Sequence, residues 1–313
     1  MVSSSSVVSS TGAGVAGIAI RNAASGVIRG SHCDGSLSAP GHAVAGVCLR
    51  NEGLVSACFA SQLTVPAAAT VGGVVHTNSY IVSDCYFASN IPSSSSNWGG
   101  IVYENGGPNG TVSHCYYSTS GTIITSGTAG GIVHTVTGGS VTECRLEGPI
   151  NASSAAGIAY TVSGGKVINC YADAVRAAVN ANSVGAGIVA TLSGGSVENS
   201  FVYTFSAPQP AGGGATLGAI VANLNGGTVN NCYSYDDHNL YGATTLAGSD
   251  LTAALTRCYL VGKSQVGVTT VTAANAAATE GTAGALVDLL NASGMPVAAK
   301  TWSMTYTHPV LDN

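Results

Sequence analysis

Residues 131–145 read GIVHTVTGGSVTECR, residues 157–171 GIAYTVSGGKVINCY, residues 187–201 GIVATLSGGSVENSF and residues 219–233 AIVANLNGGTVNNCY. All four run 13 residues from the first position to a Cys or Ser slot. Looser copies precede them: GVCLRNEGLVSACF at 46–59, GVVHTNSYIVSDCY at 73–86 and GIVYENGGPNGTVSHCY at 100–116. A degenerate copy, GIAIRN, opens at Gly17, and another ends at Cys258. The slot residues are Cys33, Cys58, Cys85, Cys115, Cys144, Cys170, Ser200, Cys232 and Cys258, spaced 25, 27, 30, 29, 26, 30, 32 and 26 residues apart. Self-similarity at this period means a stacked or radial repeat architecture.

Each unit reads as strand, turn, strand. Gly-Ile-Val is a short β-branched run, and Gly138-Gly139, Gly164-Gly165, Gly194-Gly195 and Gly226-Gly227 mark turns. A second strand carries Val55, Val82, Val112, Val141, Val167, Val197, Val229 or Leu255 three residues before the slot. In a regular strand, positions three apart face opposite ways. If the valine and the cysteine both point inward, the backbone bends between them. Helical repeats need apolar residues at 3.6 spacing, whereas this chain has 43 glycines and only 7% charged residues. A propeller blade needs four strands in about 40 residues. One turn of a β-solenoid fits the unit best, and the crossover rule makes it right-handed.

The predicted fold is therefore all-β: a right-handed parallel β-solenoid of about nine coils with a short C-terminal helix cap. Residues 1–16 are an N-terminal segment, 17–262 the array, and 263–313 a C-terminal capping region with one helix and a final strand. The helix is expected over 283–293, with Leu286, Leu289 and Leu290 on one face and Gly294 and Pro296 ending it.

The pattern G-[IV]-[VA]-x-x-x-x-G-G-x-V-x-N-C-[YF] resembles the GLUG-motif repeat of bacterial surface and secreted proteins. The segment 284–311, GALVDLLNASGMPVAAKTWSMTYTHPVL, is similar to the ending of such arrays. The resemblance covers residues 12–311. It implies a β-solenoid and an adhesin-like role at the cell surface or outside the cell. In the first copy Gly30 stands in the valine position and Asp34 in the aromatic one.

Net charge is −5, and nine Lys and Arg are scattered through 313 residues, so no basic footprint for nucleic acid exists. No run of 18 apolar residues is free of glycine or polar interruption, so no membrane span is expected. The start, MVSSSSVVSS, shows no basic segment and no apolar core, so no secretory leader is legible there.

The cysteine column reads as buried thiols acting as small hydrophobes. Cys48, off the column, reads as another small core residue. No Cys-x-x-Cys occurs, so no metal or other cofactor is expected. The residue after the slot is Phe59, Tyr86, Tyr116, Tyr171, Phe201, Tyr233 or Tyr259, broken by Asp34 and Arg145. Tyr86, Tyr116, Tyr171, Phe201, Tyr233 and Tyr259 are the candidates for binding surface glycans or another subunit. One residue before the slot stand His32, Asp84, His114, Glu143, Asn169, Asn199 and Asn231. Asp84, Glu143, His114 and Arg145 are the weak catalytic candidates. Two strand spacings separate Asp84 from Glu143 by roughly 10 Å, at the edge of the roughly 6.5–9.5 Å of inverting glycosidases. A charge-alternating ladder explains the same residues. Asp236-Asp237-His238 reads as a loop turn. His76, Tyr103, His134 and Tyr160, three after each first glycine, read as a stacked column.

The function expected is a non-enzymatic extracellular structural or adhesive β-solenoid module that binds glycans or self-associates. The alternatives are a filament or phage-particle subunit and a glycan-active β-helix enzyme.

Overall fold

The computed structural model describes residues 7–12, 14–61, 63–65, 68, 70–88, 91–94, 96–117, 123–173, 175–176, 183–203, 205–206, 214–234, 241–244, 251, 253–261, 265, 268–271, 290–291, 302–304 and 309–311. It is the expected all-β parallel β-solenoid. Within one coil the chain passes through four short strands, for example Ile123–Gly130, Val133–Val136, Ser140–Thr142 and Arg145–Glu147. These form, in order, the first to fourth sides. Each strand lies parallel on the same side of the next coil, as in Ser140↔Lys166, Val141↔Val167 and Thr142↔Ile168.

Among the described residues the second and third sides hold nine strands each and the fourth ten. The first side has eight in line, with Ile91–Ser94 paired beside them. Among the described residues, not every one of the expected nine coils shows all four sides. After Tyr233–Ser234 the stack continues on the second, third and fourth sides without a described first-side strand.

The main apolar core fills the interior, built from in-register columns, and Ala156, Ala186, Ala190 and Ala222 form a smaller buried cluster of their own. The third-side valines, Val55, Val82, Val112, Val141, Val167, Val197 and Val229, are all buried. Cys48 lies in the inward column of the second side, between Ala19 and Val75, and is buried as expected.

The turn from first to second side is set by glycine. A Cβ added at Gly131 would lie 2.2 Å from the Gly157 carbonyl oxygen of the next coil and 2.5 Å from Leu146 Cδ1. Gly46, Gly73, Gly100, Gly157 and Gly187 face the same obstruction, each from the carbonyl of the coil above. The backbones approach too closely there for any side chain. Beyond this turn the cross-section is re-entrant, because outward side chains of the first and second sides bond to each other: Thr70 Oγ1 lies 2.8 Å from His76 Nε2.

At the N-terminus Val7–Ser9 pairs in parallel with Ser36–Ser38. At the C-terminus the single final strand expected is an antiparallel pair, Trp302–Met304 with Pro309–Leu311. The helix expected over 283–293 lies outside the described residues apart from Leu290 and Asn291, which are helical. Leu290 is buried, and its carbonyl accepts from Arg257 Nη2 at 2.8 Å. Asp236-Asp237-His238 lies outside the described residues. Among the described residues no helix is long and apolar enough to cross a membrane.

Candidate functional site

The bend inferred between valine and cysteine is a single left-handed residue. Ala57, Asp84, His114, Glu143, Asn169, Asn199, Asn231 and Arg257 all have φ between 48° and 55°. That conformation swings the chain from the third side to the fourth and turns the next residue inward. Non-glycine residues seldom adopt it, with Asn and Asp favoured. The inward residue must be small and must satisfy a carbonyl exposed by the bend. Each column thiol donates to the carbonyl two residues back: Cys58 to Ser56 at 3.2 Å, Cys85 to Ser83 at 3.1 Å, Cys144 to Thr142 at 3.3 Å. Ser200 does the same to Glu198 at 2.8 Å. The slot therefore selects a small hydrogen-bond donor, which both Cys and Ser supply.

This geometry corrects the first coil. Arg29 pairs with Ser56 and His32 with Phe59. Gly30, with φ 59°, thus occupies the left-handed position, and Ser31 the slot, its Oγ donating to the Arg29 carbonyl at 3.3 Å. Ile28, not Gly30, stands in the valine column. His32 belongs to the aromatic column rather than the polar one, and Asp34 to neither. Cys33 pairs with Ala60 and lies in the next inward column, still buried. Cys33 keeps its place in the core but not in the cysteine ladder.

All nine cysteines are free and buried. Burial pushes Cys258 up to about 12 and Cys33 and Cys48 up to about 11, so these thiols stay protonated and poorly nucleophilic. Among the described residues no group of three or more His, Cys, Asp or Glu could hold a metal ion.

The aromatic column is a face-to-face stack. Ring centroids are 4.8 Å apart for His32–Phe59, 4.6 Å for Phe59–Tyr86 and 5.2 Å for Tyr86–Tyr116. The Arg145 guanidinium continues it, 5.1 Å above the Tyr116 ring. Tyr171–Phe201 and Phe201–Tyr233 resume it at 5.1 and 5.2 Å. Arg145 is therefore no break: its flat cation fills a ring's place. The column is accessible only in part. Phe59, Tyr86, Tyr116 and Tyr171 are half-buried, while Phe201, Tyr233 and Tyr259 are buried, which removes these three from any directly exposed face. Because the rings cover one another, the accessible ones present edges and not faces.

Of the catalytic candidates, His114 and Glu143 meet, Nε2 to Oε2 at 2.8 Å. Arg145 Nε instead pairs with Glu147 Oε1 at 3.3 Å, which also accepts from the Tyr171 hydroxyl at 3.2 Å. The carboxylates of Glu143 and Glu147 are thus each engaged by a cation or a donor on the outside of the stack. This resembles the charge-alternating ladder more than an acid–base pair facing a shared substrate space.

A column of asparagines at the second corner escaped the sequence reading. Asn22, Asn51, Asn78 and Asn105 are buried and pass one hydrogen bond up the stack. Nδ2 donates to the next Oδ1 at 2.8, 2.8 and 2.7 Å. The remaining amide protons go to turn carbonyls, as from Asn78 to Tyr80. The 27–29 residue spacing was the signal. It is lost where Val136, Val162 and Leu192 take the same register. There a second ladder begins at the slot corner. Asn199 donates to Asn169 and Asn231 to Asn199, both at 2.7 Å, and Arg257 Nη2 donates to Asn231 at 3.1 Å.

No family model, curated protein or solved structure matches this chain.

Proposed function

We propose that the chain is a rigid, non-enzymatic structural and adhesive module working at the cell surface or outside the cell, with the fourth side as its contact face. The observation that carries this reading is the run of half-buried Phe59, Tyr86, Tyr116 and Tyr171 with exposed Arg145 among them, presented in register along one side of the rod. Stacked rings bind by their edges and polar tips. The partner class that fits is a glycan engaged through hydroxyl hydrogen bonds, and a second subunit is the alternative. The few charges near this run are largely paired, which lowers the cost of taking them out of water beneath a neutral partner.

A glycan array with the wild type and a Tyr86→Ala/Tyr116→Ala variant tests the surface. Binding that drops in the variant supports it, and binding that survives unchanged removes it. Light scattering and electron microscopy report self-association or filaments. Release of reducing sugar from a polysaccharide would instead make the protein an enzyme.

A further inference from the structure

At the re-entrant corner a residue of the first side pairs with the residue six later on the second side. Thr70 bonds His76 and Thr128 bonds His134, each Oγ1 2.8 Å from Nε2. In the two other coils the same positions bring Tyr103 beside Asn97 and Tyr160 beside Ser154, close enough for their side chains to interact. The other ring nitrogens are taken as well: His76 Nδ1 lies 3.0 Å from Thr77 Oγ1, and His134 Nδ1 2.9 Å from Thr135 Oγ1. The four rings stack along the axis at 4.8, 4.7 and 5.0 Å. Four consecutive coils are closed by this one seam. Below and above it the same two positions are apolar, Ala43 with Leu49 and Val184 with Ala190.

We propose that the seam is an acid-labile latch: protonation of His76 and His134 opens this corner while the other corners stay closed. An imidazolium here would sit among neutral groups. From the first side the facing residues are Thr70, Asn97, Thr128 and Ser154, and from the second Leu49, Tyr103 and Tyr160. Of these only the tyrosines titrate, and burial pushes both above the usual tyrosine range. The adjoining column of the second side places Glu104 between Thr77 and Thr135, with Arg50 beneath Thr77. Burial pushes both histidines down to about 4. An opened ring takes its proton near 6.5. Above that pH both states are neutral and nothing changes. As pH falls towards 4 the open state gains protons that the closed state refuses, so the seam weakens. At pH 5 this favours opening about 30-fold per histidine.

Amide hydrogen exchange, corrected for intrinsic rates, tests the latch at pH 7 and pH 5. The corner amides Gly73, Val74, Gly131 and Ile132 donate to the coil above, as do Ser140 and Ile81 to the coil below on the third side. The expected result is a loss of protection of about 30-fold or more at the four corner amides, with Ile81 and Ser140 holding. His76→Gln with His134→Gln abolishes the loss, and Glu104→Gln leaves it. If the glutamine pair does not fold, His76→Tyr with His134→Tyr is read the same way, since tyrosine already fills alternate places in the column. Equal loss on both sides overturns the latch. So does a loss that persists without the histidines, or one that Glu104→Gln removes.

Discussion

The imidazole of His32 lies flat on the phenyl ring of Phe59, centroids 4.8 Å apart and planes 5° from parallel. This contact fixes the register of the first coil. It shows that what aligns the coils is the left-handed corner and the column after it, and that a cysteine is only one way of filling the slot between them. The slot needs a small inward donor to the carbonyl two residues back, so Ser31 and Ser200 serve where other coils have cysteine.

Nine thiols remain free on this account. Mass spectrometry of unreduced protein is expected to show no disulfide. Iodoacetamide at pH 8 is expected to label the folded protein negligibly, because all nine thiols are buried out of the reagent's reach. Full labelling follows only on unfolding. Stoichiometric disulfides between neighbouring coils would contradict this.

Ala57 holds φ 50° without glycine's freedom or asparagine's local hydrogen bonds, and it is exposed. Left-handed backbone costs an alanine about 1–2 kcal/mol. Glycine removes that strain but adds unfolded-state entropy of about 0.4–1 kcal/mol. Ala57→Gly is therefore expected to raise stability by about 0.5–1 kcal/mol in urea unfolding. A destabilised variant would show the corner to be unstrained.

Gly131→Ala tests the opposite corner. A methyl there would press on the Gly157 carbonyl, so a loss of more than about 2 kcal/mol is expected. Ala219 occupies the equivalent slot of a later coil. Ala219→Gly is expected to cost only about 0.5–1 kcal/mol, through backbone entropy. Similar losses at both positions would mean that close approach is not what selects glycine.

Asn78 stands in the middle of the first amide ladder. Asn78→Ala strands a buried donor on Asn51 and a buried acceptor on Asn105, at about 1–3 kcal/mol for each group left unsatisfied. Thermal or urea unfolding is expected to show a loss of about 2–4 kcal/mol. Val136, which sits in the same register with no amide neighbour above, is the contrast. Val136→Ala is expected to cost about 1–2 kcal/mol, from lost burial alone.

The repeat, the all-β class, the turns at Gly138-Gly139 and its equivalents, and the inward valines were legible because they depend on local chemistry repeated at one period. The bend before the slot was legible too, since Val141 and Cys144 cannot both face inward along a straight strand. Identity in sequence could not reveal geometry that different residues satisfy equally. Asp84, His114, Glu143 and Asn169 share one backbone conformation without sharing chemistry. His32 and Arg145 take places in a ring column because both are flat.

The sequence by itself determined that the chain coils in parallel with a period near 28 residues, because glycine turns and β-branched strands recur too regularly for another fold. Only the tertiary structure decided which columns face solvent. It buried Phe201, Tyr233 and Tyr259, closed the His76–Tyr160 seam, and linked Asn22 to Asn105 through the core. The physical reason is that stacking places residues about 28 apart in contact at about 4.8 Å. What a side chain touches then depends on the coil above and below, and not on its neighbours along the chain.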